Sequence, residues 1–381
     1  MAADSPPDDF KPIPFLISLV FTIVFIGYAV VSGLRRKLVS SLIDLPYPED
    51  SKSAMAILAI TQKKDFVFWH ARGTEFAFLK LVSIPKISDA LAAMPASASD
   101  DLPLDHPEDW MDMLHLILSE LLDRPADSDR VQTVIRRVVY LKQKCKFSNA
   151  LWLYVVCVLA TEPVAWMERG GFRQVFLGFE GEAYAVAWRE IAIKMGLEDI
   201  PGTLSAMRAY AASFESEHAA SGPNNAKFAK AIIAAATVAA CQQAGNSSIV
   251  SCYTPQAVYI YASEAMQKAL DLPLPSPLAK RLVPIMLSVA AMFTHLCLVP
   301  RKVGHCRTKE EANTDGKYDV AYVAYGSGGA FKEGYAVERL GPKFLVEDDS
   351  LGKLYEKTSK SIADSGINGA AVTASVESNA E

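Results

Sequence analysis

The polar and apolar positions of this chain separate one unbroken apolar run from a long body with helical periodicity. The run extends from Pro14 to Gly33 without a charged side chain, and Arg35, Arg36 and Lys37 follow at once. A helix needs about 20 predominantly apolar residues to cross a hydrocarbon core, so residues 14–34 are expected to form a transmembrane anchor. A cleaved secretory signal would instead place basic residues before a shorter run and end in a small-residue exit. Here Asp4, Asp8 and Asp9 precede the run against a single Lys11, and the basic cluster lies behind it. The positive-inside bias therefore leaves residues 1–13 on the far side and the body in the cytosol.

Beyond Lys37, apolar residues recur at intervals of three and four, and alternating runs are few. The spacing predicts helices near 55–62, 109–123, 128–144, 148–168, 176–195, 203–219, 225–244, 254–270 and 276–299, an all-α body. Ser128 and Ser148 stand at expected amino-terminal caps and Gly196 at a carboxyl-terminal one, while Pro201 and Pro223 fall in connections. Residues 50–307 read as one helical domain. From 308 the composition shifts toward Gly, Asp and Lys, and the last twenty residues are mostly small and polar, so 308–381 is expected to be an extension with a disordered end. A second apolar segment, Val283 to Pro300, is near membrane-spanning length and reads as a core helix, a dip into the membrane being the alternative.

Composition narrows the function classes. With 51% apolar and 21% charged residues and a net charge of −5, the chain is globular and lacks the basic stripe of a nucleic-acid binder. Six scattered cysteines form no Cys-x-x-Cys pair and suit reduced thiols in a cytosolic body. Asn246-Ser247-Ser248 is a glycosylation acceptor by sequence and should stay unmodified there. No Walker loop, nucleophile elbow or His-Glu-x-x-His helix is present.

The histidines are the natural place to seek metal or haem ligands. His70 reads as a structural imidazole and His305 as a loop residue. His106 and His115, among Asp101, Asp105, Glu108, Asp109 and Asp112, form either a divalent-ion cluster or a solvated acidic loop, the latter favoured. His218 ends an amphipathic helix and His295 sits on a strongly apolar one; each is either a core residue or an iron ligand. Glu162 near Arg169 and Arg173 is read as a structural Glu–Arg bridge, or else the arginines hold a propionate or a substrate carboxylate.

Several groups then carry a family resemblance: Glu162-Pro-x-x-Trp166-x-x-Arg169; Trp188-Arg-Glu-Ile191 with Met195 to Pro201; Tyr210 to His218 with Asn225; and His295 to Arg301. With Phe66 to Phe78 and Ile84 to Ser88 before them, their order resembles the fungal mpaB-type and rubber-oxygenase catalytic domain over some 240 residues. The resemblance implies a globin-like helical domain that holds haem b and uses dioxygen to cleave isoprenoid double bonds. It also implies a fungal secondary-metabolism setting and a single-pass anchor in the endoplasmic reticulum, residues 1–13 being lumenal. By the same resemblance His295 or His218 would ligate iron, with Glu162, Arg169 and Arg173 around the cofactor. The chain departs from the family where a histidine ligand is expected: Lys142 stands there, flanked by Lys144 and Lys146 and expected to face water. Asp109-Trp-Met-Asp-Met113 likewise replaces an Arg-x-x-Asp-Thr group.

Two readings follow. One is a membrane-anchored haem oxygenase acting on a lipophilic, isoprenoid-like substrate drawn from the bilayer. The other is a non-catalytic relative that binds lipid or a protein partner without haem.

Overall fold

The computed structural model describes residues 12–93, 107–170, 178–243, 245–246, 248–297, 299–325 and 331–341. Among them the chain is all-helical, with no strand. The helices are α1 (Pro12–Ile43), α2 (Ser51–Ile60), α3 (Val67–Val82), α4 (Pro85–Ala92), α5 (Pro107–Leu122), α6 (Asp129–Cys145) and α7 (Asn149–Gly170). They continue as α8 (Gly178–Lys194), α9 (Leu204–His218), α10 (Asn225–Gln243), α11 (Ser248–Tyr261), α12 (Glu264–Ala269) and α13 (Pro277–Cys297). A π-helical turn, Thr61–Asp65, joins α2 to α3.

The expected caps form. Ser128 and Ser148 hydroxyls accept from the amides of Val131 and Leu151 at 3.4 and 3.3 Å. Gly196 takes φ +66, and the Leu197 amide reaches back to the Ala192 carbonyl at 3.1 Å, closing α8 as a left-handed cap permits. The expected helix over 254–270 divides in two. Ser263 adopts an extended conformation (ψ 159) and caps α12 through the Met266 amide, so the chain turns where periodicity alone continued it.

Helix α3 is the centre of the fold and the periodicity misses it. Its residues are buried on nearly every side, from Trp69 through Val82, so no polar stripe marks a helical period. It packs most extensively on α7 and also on α10. The crossing with α7 is backbone to backbone: a Cβ on Gly73 would run into Pro163 and lie 2.9 Å from the Glu162 carbonyl oxygen. Pro163, inside α7, lacks the amide hydrogen that a closer partner would strand. Phe76, Phe78, Leu79 and Val82 are buried in this layer, each contributing roughly 1.5–3 kcal/mol of transfer free energy.

Asn225, fully buried at the start of α10, ties distant pieces together. Its amide donates to the carbonyls of Ser83, Ala220 and Ala269, and its oxygen accepts from the Ser88 hydroxyl. Lys80 lies between Glu162 and Glu215 at 2.7 and 3.1 Å, stitching α3, α7 and α9. Burial alone pulls its ammonium down, and the two carboxylates outweigh that and raise it.

Among the described residues, α7 is the one helix that meets the length and apolarity of a membrane span, over Asn149–Arg169, and 83% of that window is buried, which makes it a core helix; the anchor expected at 14–34 is not supported on this criterion. Helix α1 behaves differently. Val31, Arg35 and Leu42, at helical spacing along one stripe, are buried against the body, and Arg35 reaches Asp65 of the π turn at 2.7 Å. Toward its amino-terminal end the described side chains from Leu19 to Val30 are exposed, among them Ile23, Val24 and Phe25 at 61%, 63% and 69%. Helix α1 packs on α13. That last helix buries Val283 and Ala291 and leaves Ile285, Val289, Met292 and Phe293 exposed, so the core-helix expectation holds for one face only.

Residues after α13 lie against the helical body. Arg307, fully buried, pairs with Asp112 at 2.6 Å, and the same carboxylate accepts from the amides of Ala324 and Tyr325 at 3.0 Å each. Farther along, the Tyr335 hydroxyl meets Glu120 beside Arg130. The 326–329 glycine turn and the end from 342 lie outside the described residues, as do residues 1–11.

Candidate functional site

The candidate site is built around α3, which presents chemistry to a cavity on each side. The first cavity, about 50 Å³, gathers imidazoles from three remote segments: His70 of α3, His115 of α5 and His305 after α13. The π turn adds Gln62 to its wall. Lys63 of the same turn holds Asp123 at 3.1 Å. The turn also meets α8: the Thr61 hydroxyl donates to Glu180, and Gln62 accepts from the Tyr184 hydroxyl at 3.3 Å.

Each imidazole is held by a ring or a donor. His70 stacks on Tyr184, and His305 stacks on Tyr322 with centroids 4.2 Å apart. His115 Nδ1 lies 3.1 Å from an Arg307 nitrogen that can only donate, so Nδ1 carries the lone pair. Burial pulls His70 down to about 3, with Lys63 adding to it. Burial also drives His115 well below its ordinary value, helped by Arg307. His305 is lowered by burial and Arg301, against the opposing pull of Asp123. All three are neutral near pH 7. Among the described residues, no group of three His, Cys, Asp or Glu is placed to hold a metal ion. Asp112 and His115 are engaged by Arg307, so the acidic cluster foreseen there is in part a buried ion pair; Asp101, Asp105 and His106 lie outside the described residues.

On the other side of α3 lies an apolar pocket of about 140 Å³. Its walls are Phe68, Trp69 and Phe76 of α3, Trp166 of α7, residues of α10 and α11, and Val283, Met286, Leu287 and Ala290 of α13. Arg72 and Glu75 are its charged residues. Arg72 donates through Nη2 to Glu75 at 2.7 Å and through Nη1 to the Ala236 carbonyl at 3.0 Å. Glu75 also accepts from the Tyr325 hydroxyl at 2.8 Å. Tyr325 borders the imidazole cavity, so this one bond forms part of the partition between the two spaces. Burial raises the Glu75 carboxyl to about 7, although Arg72 and Tyr325 both pull it down.

The residues proposed from sequence do not come together. Glu162 is buried on Lys80 rather than on an arginine. Arg169 is exposed and lies over Tyr261 and Trp166 at 5.0 and 5.7 Å, while its neighbour Glu168 pairs with Arg208. His218 is exposed, stacked flat on Phe214 at 4.0 Å, with Nδ1 on the Phe214 carbonyl at 3.0 Å. Arg173 lies outside the described residues, and so does the side chain of His295, whose backbone belongs to α13. Lys142, expected to face water, instead donates to the carbonyls of Met195 and Gly196 at 3.1 Å each and caps α8.

Neither cavity beside α3 is of the size that haem b needs. Pockets for cofactor-sized ligands occupy roughly 300–1,000 Å³ and enclose most of the ligand. The imidazole cavity has room for a few waters, each needing about 10–15 Å³. The groove beside His218 is larger, about 430 Å³, but it is a surface groove with Lys86, Ser213 and Glu217 exposed along it.

No family model matches this chain, and no curated protein matches it. Among solved structures it is similar to one described as "Structure of Latex Clearing Protein LCP in the closed state", with 17% identity and a TM-score of 0.43. The alignment covers 70% of this chain and 74% of that one. The two differ at most positions and superpose loosely, and no residue role is carried over.

Proposed function

We propose that this chain is a membrane-anchored protein that takes a lipophilic, isoprenoid-like molecule into the apolar pocket between α3, α7, α11 and α13. One observation carries the reading: α13 lines that pocket on one side and exposes Ile285, Val289, Met292 and Phe293 on the other, and it packs on α1, whose amino-terminal stretch is itself exposed and apolar. Apolar surface of that extent exposed to water is costly, and contact with lipid removes the cost. A 32-residue helix is about 48 Å long, enough to cross a bilayer and still dock its base on the body. Arg36 and Lys37, exposed at that base, suit the headgroup layer on the cytosolic side, and the endoplasmic reticulum is the membrane we assign.

An oxygenase reaction on the bound molecule is the reading that the sequence resemblance supports. It requires an iron ligand from outside the described side chains, His295 being the candidate. The lipid-binding reading requires none and is the one the geometry favours. Two measurements on the full chain in detergent separate them. Quenching of Trp69 and Trp166 fluorescence by a prenyl chain, lost in Leu287→Asn, supports the pocket; no quenching sinks it. A Soret band after haem supplementation, abolished in His295→Ala, would establish the oxygenase reading instead.

A further inference from the structure

Building on the apolar-pocket reading, the lining carries a polar signature that a pure hydrocarbon would leave unmet. Arg72, 6% exposed, uses Nη1 and Nη2 within the protein, and its Nε has no acceptor. Trp166, 4% exposed, likewise has no acceptor for its indole N–H. Both side chains line the same pocket, and a buried donor without an acceptor is costly. Another apolar cavity, about 160 Å³, between α3 and α5 to α7, differs: Trp152 puts one unpartnered indole N–H there, and no charged side chain lines it.

We infer that the pocket recognises a lipophile ending in a neutral oxygen acceptor, an aldehyde, ketone or alcohol, whose oxygen is held by Arg72 Nε and Trp166 Nε1. A carboxylate end is disfavoured, because Glu75 already occupies the guanidinium and a second anion would share one cation in apolar surroundings. An amine end is disfavoured because both orphan atoms donate. The volume sets the reach: a cavity of about 150 Å³ accommodates benzene, so the oxygen and the first few carbons sit inside and the rest of the chain leaves past α13.

The test titrates the full chain in detergent, by calorimetry, with three fifteen-carbon probes: farnesene, farnesal and farnesoic acid. The expected order places farnesal roughly tenfold tighter than farnesene, with the acid no better than the hydrocarbon. In Trp166→Phe, which keeps the ring and removes only the donor, the farnesal-to-farnesene ratio should fall toward one. Arg72→Lys keeps a cation on Glu75, removes Nε and should act in the same direction; if it does not fold, Trp166→Phe still decides. Equal affinities for farnesal and farnesene in the native chain would overturn the inference and leave the pocket standing. Tightest binding of farnesoic acid would overturn the neutral-oxygen class, and failure of all three probes to bind would remove the pocket reading itself.

Discussion

The two cavities beside α3 share one helix and are built on opposite principles. The imidazole cavity is small and polar, and its imidazoles are kept neutral by burial. The pocket under α13 is larger, almost wholly apolar, and keeps one buried ion pair on its wall. Polar groups in the first are satisfied mostly by one another and by the segment after α13, which closes it like a strap. Each cavity keeps two donors without an acceptor, Arg307 Nε and Trp188 Nε1 in the first and Arg72 Nε and Trp166 Nε1 in the second. The difference teaches where a lipophile belongs: spare donors beside a small polar cavity have room for water, whereas those in an apolar wall are met only by a ligand that brings its own acceptor.

Four changes would break or sharpen that contrast. Removing one partner of the buried pair, as in Arg72→Met or Glu75→Leu, should cost about 3–5 kcal/mol in denaturant unfolding. The double variant should recover most of the loss, because a matched apolar replacement strands no charge. A recovery failure would mean the pair does more than neutralise itself. Next in size is Gly73→Val, which forces α3 away from Pro163 and with it both cavities; overpacking of this kind costs about 1–3 kcal/mol, read as a lowered Tm.

The third change is pH, and the two cavities respond with opposite signs. The imidazoles have folded pKa values below their unfolded ones, so the unfolded chain takes up protons first as pH falls below about 6.5, and stability is lost. Glu75 has a raised value, about 7 against an ordinary 4.5, so its ionisation penalises the fold as pH rises through that window. His70 and His115, both driven far below the ordinary imidazole value, outweigh one carboxyl, and Tm should fall from about pH 7 to about pH 5. His70→Gln should flatten that fall and Glu75→Gln should steepen it; the reverse pattern would refute the assignment of the two cavities. The smallest expected effect is at Asn246, on the turn after α10 with φ 61. The sequon there should stay unglycosylated on expression in eukaryotic cells, and a mass shift removed by a glycosidase would invert the proposed topology.

Much of the helical body was legible. Helices with one polar face, such as α6 and α9, declare their period because one side of each turn meets water. Helix α3 does not, since it is enclosed all round, and the split of α11 from α12 depends on the backbone turn at Ser263 rather than on hydropathy. The site was less legible for a related reason. His70, His115 and His305 come from segments too far apart for spacing to join them, and Arg72 and Glu75 look in sequence like an ordinary helical pair. His218, Glu162 and Arg169 drew attention through local motifs, yet packing turned one to the surface, one onto Lys80 and one onto Tyr261.

The sequence by itself determined the all-helical class, most helix limits and caps, and the long apolar run at its start, because these follow from local propensity and period. Only the tertiary structure decided that Gly73 brings α3 onto α7, that Arg307 closes over Asp112, and that α13 carries an apolar face on each side. Those outcomes depend on contacts between residues scores of positions apart, whose energies exist only once the chain has brought them together.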